Sequence, residues 1–220
     1  MFRAAIVGHS HVPSTLEVKV PAFDQAGKPT EEALPVDIYR SPGATAEDFF
    51  WNNTLSAIFE YQYQLIILWI GSNDIHDSVE VRDLVHHISR IVKALETHCK
   101  ADVRFCLIEP RAVERSPRTK VQEQETYNKI AKGVNRKLQG RVLRGRRFIS
   151  FGAKPFCQDL GRDGVHFRHS ERESFVYSKL RHCINYAYTD FQRWKMWGEP
   201  IPLNVQREKE AAVGHPPAGN

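Results

Sequence analysis

At 220 residues the chain is long enough for one domain of ordinary size, with a core that needs no disulfide or metal staple. Hydrophobic residues make up 41% and charged residues 26%, which excludes a disordered chain, and the longest apolar run, Leu65 to Ile70, is too short to span a bilayer. The formal net charge is +5 and the sequence pI about 9.0, which permits an anionic partner without demanding one.

Cysteines 99, 106, 157 and 183 are far apart and form no C-x-x-C pair, the pattern of free thiols in a reducing compartment. The apolar run Ala4–Val7 stops at Gly8-His9, short of the roughly 7–15 residues of a signal-peptide core. The expectation is an intracellular, cytoplasmic protein without a membrane span.

Five short apolar, β-rich runs recur, and most are followed by a helical pattern. Ala4–Val7 is the first. The segment from Pro13 to Pro35, with Pro21 and Pro29 inside it, replaces the expected crossover helix and reads as a loop-rich insertion holding at most a short helix or a hairpin. Val36–Tyr39 follows, then Thr45-x-x-Asp48 as the cap of a short helix through Phe49, Phe50 and Leu55. The third run is Leu65–Ile70. After it, Asp77 and Glu80 make a capping-box-like start for a helix with Val81, Leu84, Val85, Ile88, Val92 and Leu95 at helical spacing.

Val103–Ile108 is the fourth run. Ser116-Pro117 opens the next helix, whose inner face carries Tyr127, Ile130, Ala131, Val134 and Leu138. Phe148–Phe151 is the fifth run. Ser170-x-x-Glu173 caps a last helix with Val176, Leu180, Cys183, Ile184 and Ala187, and Phe191, Trp194, Met196 and Trp197 follow it to close over the core or a partner subunit. From residue 199 to 220 the chain is Pro, Gly, Ala and charge without periodicity, a tail appended to a domain spanning 1–198. Continuous apolar strands alternating with helices predict a parallel α/β sheet.

The polar residues at the strand ends carry the chemistry. In open α/β sheets ligands gather at the carboxyl ends of the strands. The first strand ends in Gly8-His9-Ser10, the second in Ser41-Pro42-Gly43-Ala44-Thr45 and the third in Gly71-Ser72-Asn73-Asp74, while Asp163-Gly164-Val165-His166 follows the fifth. A serine alone there could merely close a turn. Together these residues are the parts of acyl transfer. Ser10 needs a base, and His166 titrates in the useful range. Asp163 can turn back to fix the imidazole tautomer. Developing oxyanion charge needs fixed donors, which the N–H groups of Ser10 and Gly43 and the Asn73 amide can supply.

These four blocks, in this order and covering roughly Met1 to Tyr188, resemble the signature blocks of the SGNH (GDSL-like) hydrolase and esterase family. The resemblance implies a flavodoxin-like three-layer α/β/α domain with a five-stranded parallel sheet. It also implies hydrolysis of a carboxylic ester, acetyl or another short acyl group, through an acyl-enzyme and without a cofactor. Ser10 is then the nucleophile, Asp163 and His166 complete the triad, and Ser10, Gly43 and Asn73 form the oxyanion hole. The family's usual Gly-Asp-Ser-Leu stands here as Gly8-His9-Ser10-His11, which places two imidazoles beside the nucleophile. Versions opening Gly-His-Ser resemble hydrolase-like domains of animal genomes, some carried by retroelements.

Other readings stay open beside this one. His9-x-His11, His86-His87 and His166-x-x-His169 have spacings a metal could use, but spacing shows neither convergence nor a second shell, so no metal is expected. Asp74 and His76 could touch substrate, although a helix-start or loop role suits them better. The basic segment from Arg111 to Arg147 could bind nucleic acid weakly, or be a solvated helix face. The rival to a serine esterase acting on a small-molecule or acylated-polymer ester is a catalytically silent SGNH-like module that binds nucleic acid or assembles a mobile element.

Overall fold

The computed structural model of the chain describes residues 1–51, 53–76, 78–113, 120–141, 147–161, 165, 167 and 175–197. Five strands pair in parallel: β1 (Ala4–Gly8), β4 (Val36–Arg40), β5 (Leu65–Trp69), β6 (Asp102–Cys106) and β7 (Phe148–Ile149). Their spatial order is β4-β1-β5-β6-β7, the flavodoxin-like doubly wound order once the inserted hairpin is set aside. Register is continuous across the centre, where Gly8 lies beside Arg40 on one flank and Trp69 on the other.

Alternation along each strand builds two cores. Ala5 and Val7 of β1, with Ile66 and Leu68 of β5, face one layer of helices: α1 (Ala46–Trp51), α2 (Asn53–Phe59), α3 (Val81–Cys99) and α4 (Val121–Arg141). Ala4, Ile6, Leu65, Ile67 and Trp69 face the other layer, made by α5 (Ala153–Asp159), α6 (Phe175–Trp197) and a two-stranded antiparallel hairpin. Both faces of the sheet are covered, so β1 and β5 read as unbroken apolar runs that are buried throughout. α3 seats Leu84, Ile88, Ile91, Val92 and Leu95 against the sheet, each worth roughly 1.5–3 kcal/mol when fully buried.

The hairpin, β2 (Val18–Phe23) with β3 (Pro29–Leu34), is the proline-rich insertion. It takes the position of a crossover helix between β1 and β4, burying Val18, Val20 and Leu34 in the second core. Pro29 begins β3 and Pro21 sits in a two-stranded ribbon, positions where a missing N–H is tolerated.

Helix starts divide into those made as the sequence reads and those made otherwise. At α1 the Thr45–Asp48 box closes reciprocally: Thr45 N–H donates to Asp48 Oδ2 at 2.8 Å, and Asp48 N–H to Thr45 Oγ1 at 3.2 Å. At α3 the capping box does not form around Glu80. Glu80 itself occupies the N-cap, and its side chain makes no cap bond. Asp77, Ser116, Pro117, Ser170 and Glu173 lie outside the described residues. α6 continues to Trp197, so Phe191 and Trp194 belong to the helix rather than following it. The helix outruns its sheet because Phe191 still finds a partner, Phe2, at 5.6 Å between ring centroids. The tail from 199 lies outside the described residues.

Among the described residues all four cysteines are free, and no helix is long and apolar enough to cross a membrane.

Candidate active site

β1 and β5 are neighbours, and their connections leave toward opposite sides of the sheet. Between them is the topological switch point, where an α/β sheet opens a crevice at its carboxyl edge. Both strand ends carry the polar residues singled out above.

After Gly8 the chain folds back in a tight turn, closed by Val12 N–H donating to His9 O at 3.1 Å. Ser10 occupies the first corner of that turn and is partly exposed. Such a return brings the chain over Gly8. A Cβ there would stand 2.0 Å from Trp69 O and 2.7 Å from Val12 Cγ2, so only glycine fits. On the other flank Ser41 N–H donates to Gly8 O at 2.8 Å, which ties the loop after β4 to the same point.

The loop after β5 supplies Ser72, Asn73 and Asp74. The Asn73 amide donates to Ala44 O at 3.0 Å, a bond that uses one of its two hydrogens. Asp74 is buried and accepts from Ala46 N–H with both oxygens, at 2.9 and 3.0 Å. It is the start signal of α1, delivered from 28 residues away, and so has the helix-start role. Burial raises its carboxyl above the ordinary range, and the Ala46 bond opposes that rise.

Ser10 and Asn73 line one cleft. Gly43 lies in the adjoining loop with φ +79°, a left-handed conformation in which glycine carries no Cβ penalty. It is not among the residues lining the cleft, and it joins the site through its neighbour Ala44, the acceptor of the Asn73 bond. Asp163 and His166 lie outside the described residues. Val165, immediately before His166 in the chain, is described, and it lines the cleft with Ser10.

The two histidines that flank Ser10 have separate duties. His9 is fully buried; its Nε2 lies 2.7 Å from Ser72 Oγ and its Nδ1 accepts from His11 N–H at 3.4 Å. An Nδ1 that accepts requires the proton on Nε2, so His9 donates to Ser72 and straps the end of β1 to the end of β5. Burial holds its imidazole well below the ordinary range, and His11 pushes the same way.

His11 Nε2–H donates to Val165 O at 2.8 Å, and Tyr177 OH donates to His11 O at 3.1 Å. The ring sits among Trp69, Phe156 and Phe167, with centroids 5.1–5.7 Å away. Leu160 and Phe167, which flank Val165 in the chain, form an antiparallel bridge. His11 thus ties Val165 to the serine turn.

The cleft also has a wall that sequence reasoning passed over. β6 ends in a loop carrying Glu109, Pro110 and Arg111, which all line the cleft together with Tyr127 of α4. Strand-end position was the signal available, because the carboxyl-edge rule applied to β1 and β5 applies equally to β6. Glu109 is buried and accepts from Phe151 N–H at 2.8 Å; burial raises its carboxyl, opposed by that bond, Lys179 and Ser150. Tyr127 is pushed up to about 12 by burial, and hydrogen bonds from Ser72 and Arg111 oppose the rise.

No three His, Cys, Asp or Glu side chains among the described residues converge as a metal site would require. Of the basic segment, Arg147 pairs with Glu96, while Lys129, Lys132 and Arg136 are exposed along one face of α4. Arg144 and Arg146 lie outside the described residues.

By sequence, no protein-family model and no curated protein matches the chain. Solved structures do match in fold. A carbohydrate esterase family 3 from Talaromyces cellulolyticus is similar at a TM-score of 0.60 and 14% identity, covering 86% of this chain and 99% of that one. A GDSL-like lipase from Bacteroides thetaiotaomicron VPI-5482 is similar at 0.59 and 12%, covering 84% and 88%. The lipase/acylhydrolase from Enterococcus faecalis is similar at 0.58 and 14%, covering 84% and 96%. The chain has the α/β fold of the SGNH hydrolases.

Proposed function

We propose that the protein is a serine esterase that hydrolyses a carboxylic ester through an acyl-enzyme. One observation carries the reading. Ser10 and Asn73, from different strands at the switch point, line a single cleft that Val165 also lines. The similarity in fold to esterases, lipases and acylhydrolases supports the same conclusion.

In this mechanism Ser10 Oγ attacks the ester carbonyl carbon as its proton passes to His166, whose imidazolium Asp163 stabilises. Charge that develops on the carbonyl oxygen is met by the Ser10 and Gly43 N–H groups and by the Asn73 amide hydrogen left over from Ala44. The C–O bond to the alcohol breaks, and the alcohol leaves with the proton from His166. Water then attacks the acyl-serine by the same route and releases the acid. His9 and His11 act as positioning residues, His9 through Ser72 and His11 through Val165 O. They position the Asn73 loop and Val165 beside the Ser10 turn.

Labelling with a fluorophosphonate tests the reading directly. Wild-type protein should be modified at Ser10 and should hydrolyse 4-nitrophenyl acetate, and Ser10→Ala should lose both while unfolding at the same urea concentration. Equal hydrolysis by the two proteins would place the activity elsewhere.

The exposed row Lys129, Lys132 and Arg136 supports a second, weaker role in binding nucleic acid. Affinity for a single strand should then fall with salt, by roughly 0.7 in log–log slope for each phosphate neutralised. Removing all three charges should abolish that slope.

A further inference from the structure

We infer that Arg111 forms a carboxylate-binding subsite of the Ser10 cleft, so that the preferred ester carries a negative charge beside its scissile bond. The inference deepens the esterase reading and rests on it for the identity of the reacting group.

The loop that bears Arg111 is held by side chains of α4 although it belongs to no helix or strand. Two asparagines of α4, seven residues apart on one face, grip its backbone from both sides. Asn135 accepts from Ile108 N–H at 3.0 Å and donates to Ile108 O at 2.8 Å. Asn128 accepts from Arg111 N–H at 2.8 Å and donates to Arg111 O at 3.1 Å. The guanidinium is then laid over the Tyr127 ring, with Cζ 4.0 Å from the centroid. Tyr127 is itself buried, so the platform cannot swing away. A side chain that would otherwise lose much rotamer freedom on binding is held in place beforehand.

Among the described residues the guanidinium meets no anion. Arg3, Arg82, Arg104 and Arg147 each have a carboxylate partner, and among the described residues Arg111 has none within 4 Å. The carboxylate two residues earlier, Glu109, is committed to Phe151 N–H. A half-buried arginine held in a cleft wall, with one N–H used on Tyr127, keeps its remaining N–H donors for a planar, singly charged oxyacid. One cation with Glu109 in the same wall suits a carboxylate better than a doubly charged phosphate.

Two pairs of esters test this. On the acyl side, 4-nitrophenyl hemisuccinate is compared with 4-nitrophenyl acetate; on the alcohol side, 4-carboxyphenyl acetate is compared with phenyl acetate. The ratio of kcat/KM, charged over neutral, should fall about tenfold or more in Arg111→Gln for at least one pair, with Arg111→Lys intermediate. Ratios unchanged within about twofold for both pairs would overturn the inference.

A binding arm separates this idea from the reading beneath it. Monomethyl succinate is titrated into Ser10→Ala and into Ser10→Ala with Arg111→Gln, followed by NMR. Binding that requires Arg111 upholds the subsite even if fluorophosphonate never labels Ser10. Labelled Ser10 with no Arg111-dependent binding or selectivity sinks the subsite and leaves the esterase standing.

Discussion

Replacing Gly8 with alanine tests the geometry on which the serine turn depends. The new Cβ would lie 2.0 Å from Trp69 O, 2.8 Å from Trp69 C and 2.7 Å from Val12 Cγ2. Even close C–H···O contacts span roughly 3.3–3.6 Å, so the overlap exceeds an ångström. Two of those three atoms are backbone in a buried central strand, with no flexible side-chain end to move aside. The strands must part, and the bonds from His9 N–H to Trp69 O and from Ser41 N–H to Gly8 O go with them.

Each buried group left unpaired costs about 1–3 kcal/mol, and overpacking costs about as much again. With two such bonds broken, a loss of about 3–9 kcal/mol follows, a large part of the roughly 5–15 kcal/mol available to a domain. Urea unfolding followed by far-UV circular dichroism would show it as a midpoint lower by roughly 1–3 M. Adding Val12→Ala should restore little, because the main obstacle is a carbonyl. If Gly8→Ala unfolds within about 0.5 kcal/mol of wild type, β1 does not meet β5 as described.

Asn73→Ala should slow ester hydrolysis by about 2.7–4 kcal/mol of transition-state stabilisation, measured as kcat/KM on 4-nitrophenyl acetate; a loss below threefold would remove the amide from the oxyanion hole. His11→Phe keeps the aromatic packing but removes the bond to Val165 O, so turnover should drop about 10–100-fold while the fold persists. An unchanged rate would show that the anchor is dispensable. Burial depresses the His9 imidazole, so the unfolded chain takes up a proton there that the folded protein resists. The associated stability is complete above about pH 6.5 and declines as pH falls below it, by up to about 1.4 kcal/mol per unit until the depressed value is reached. In His9→Gln the urea midpoint should fall less between pH 7 and 5 than in wild type, and identical declines would assign the proton elsewhere.

Local chemistry was legible without coordinates wherever the partners are near in sequence or the pattern is periodic. β1 and β5 appear as unbroken apolar runs because both of their faces are covered, and the Thr45–Asp48 box closes as written because its two members are three residues apart. Ser10 and Asn73 could be placed at strand ends from the turn residues that follow each run. Their sharing of one cleft depends on β1 and β5 being neighbours. That adjacency arises from how whole strands and helices bury their faces, and no local motif encodes it.

Long-range polar satisfaction was decided by tertiary structure alone. Asp74 caps a helix that precedes it by 28 residues, and His9 finds Ser72 across two strands. His11 finds Val165 from 154 residues away, and Arg111 is fixed by Asn128 and Tyr127 of a helix not yet begun when its loop ends. A buried donor or acceptor must be paired, but the rule names no partner. The partner is whichever group the packed layers bring within about 3 Å. Composition and periodicity determined the layers of this protein, and the packing of those layers determined which polar groups meet.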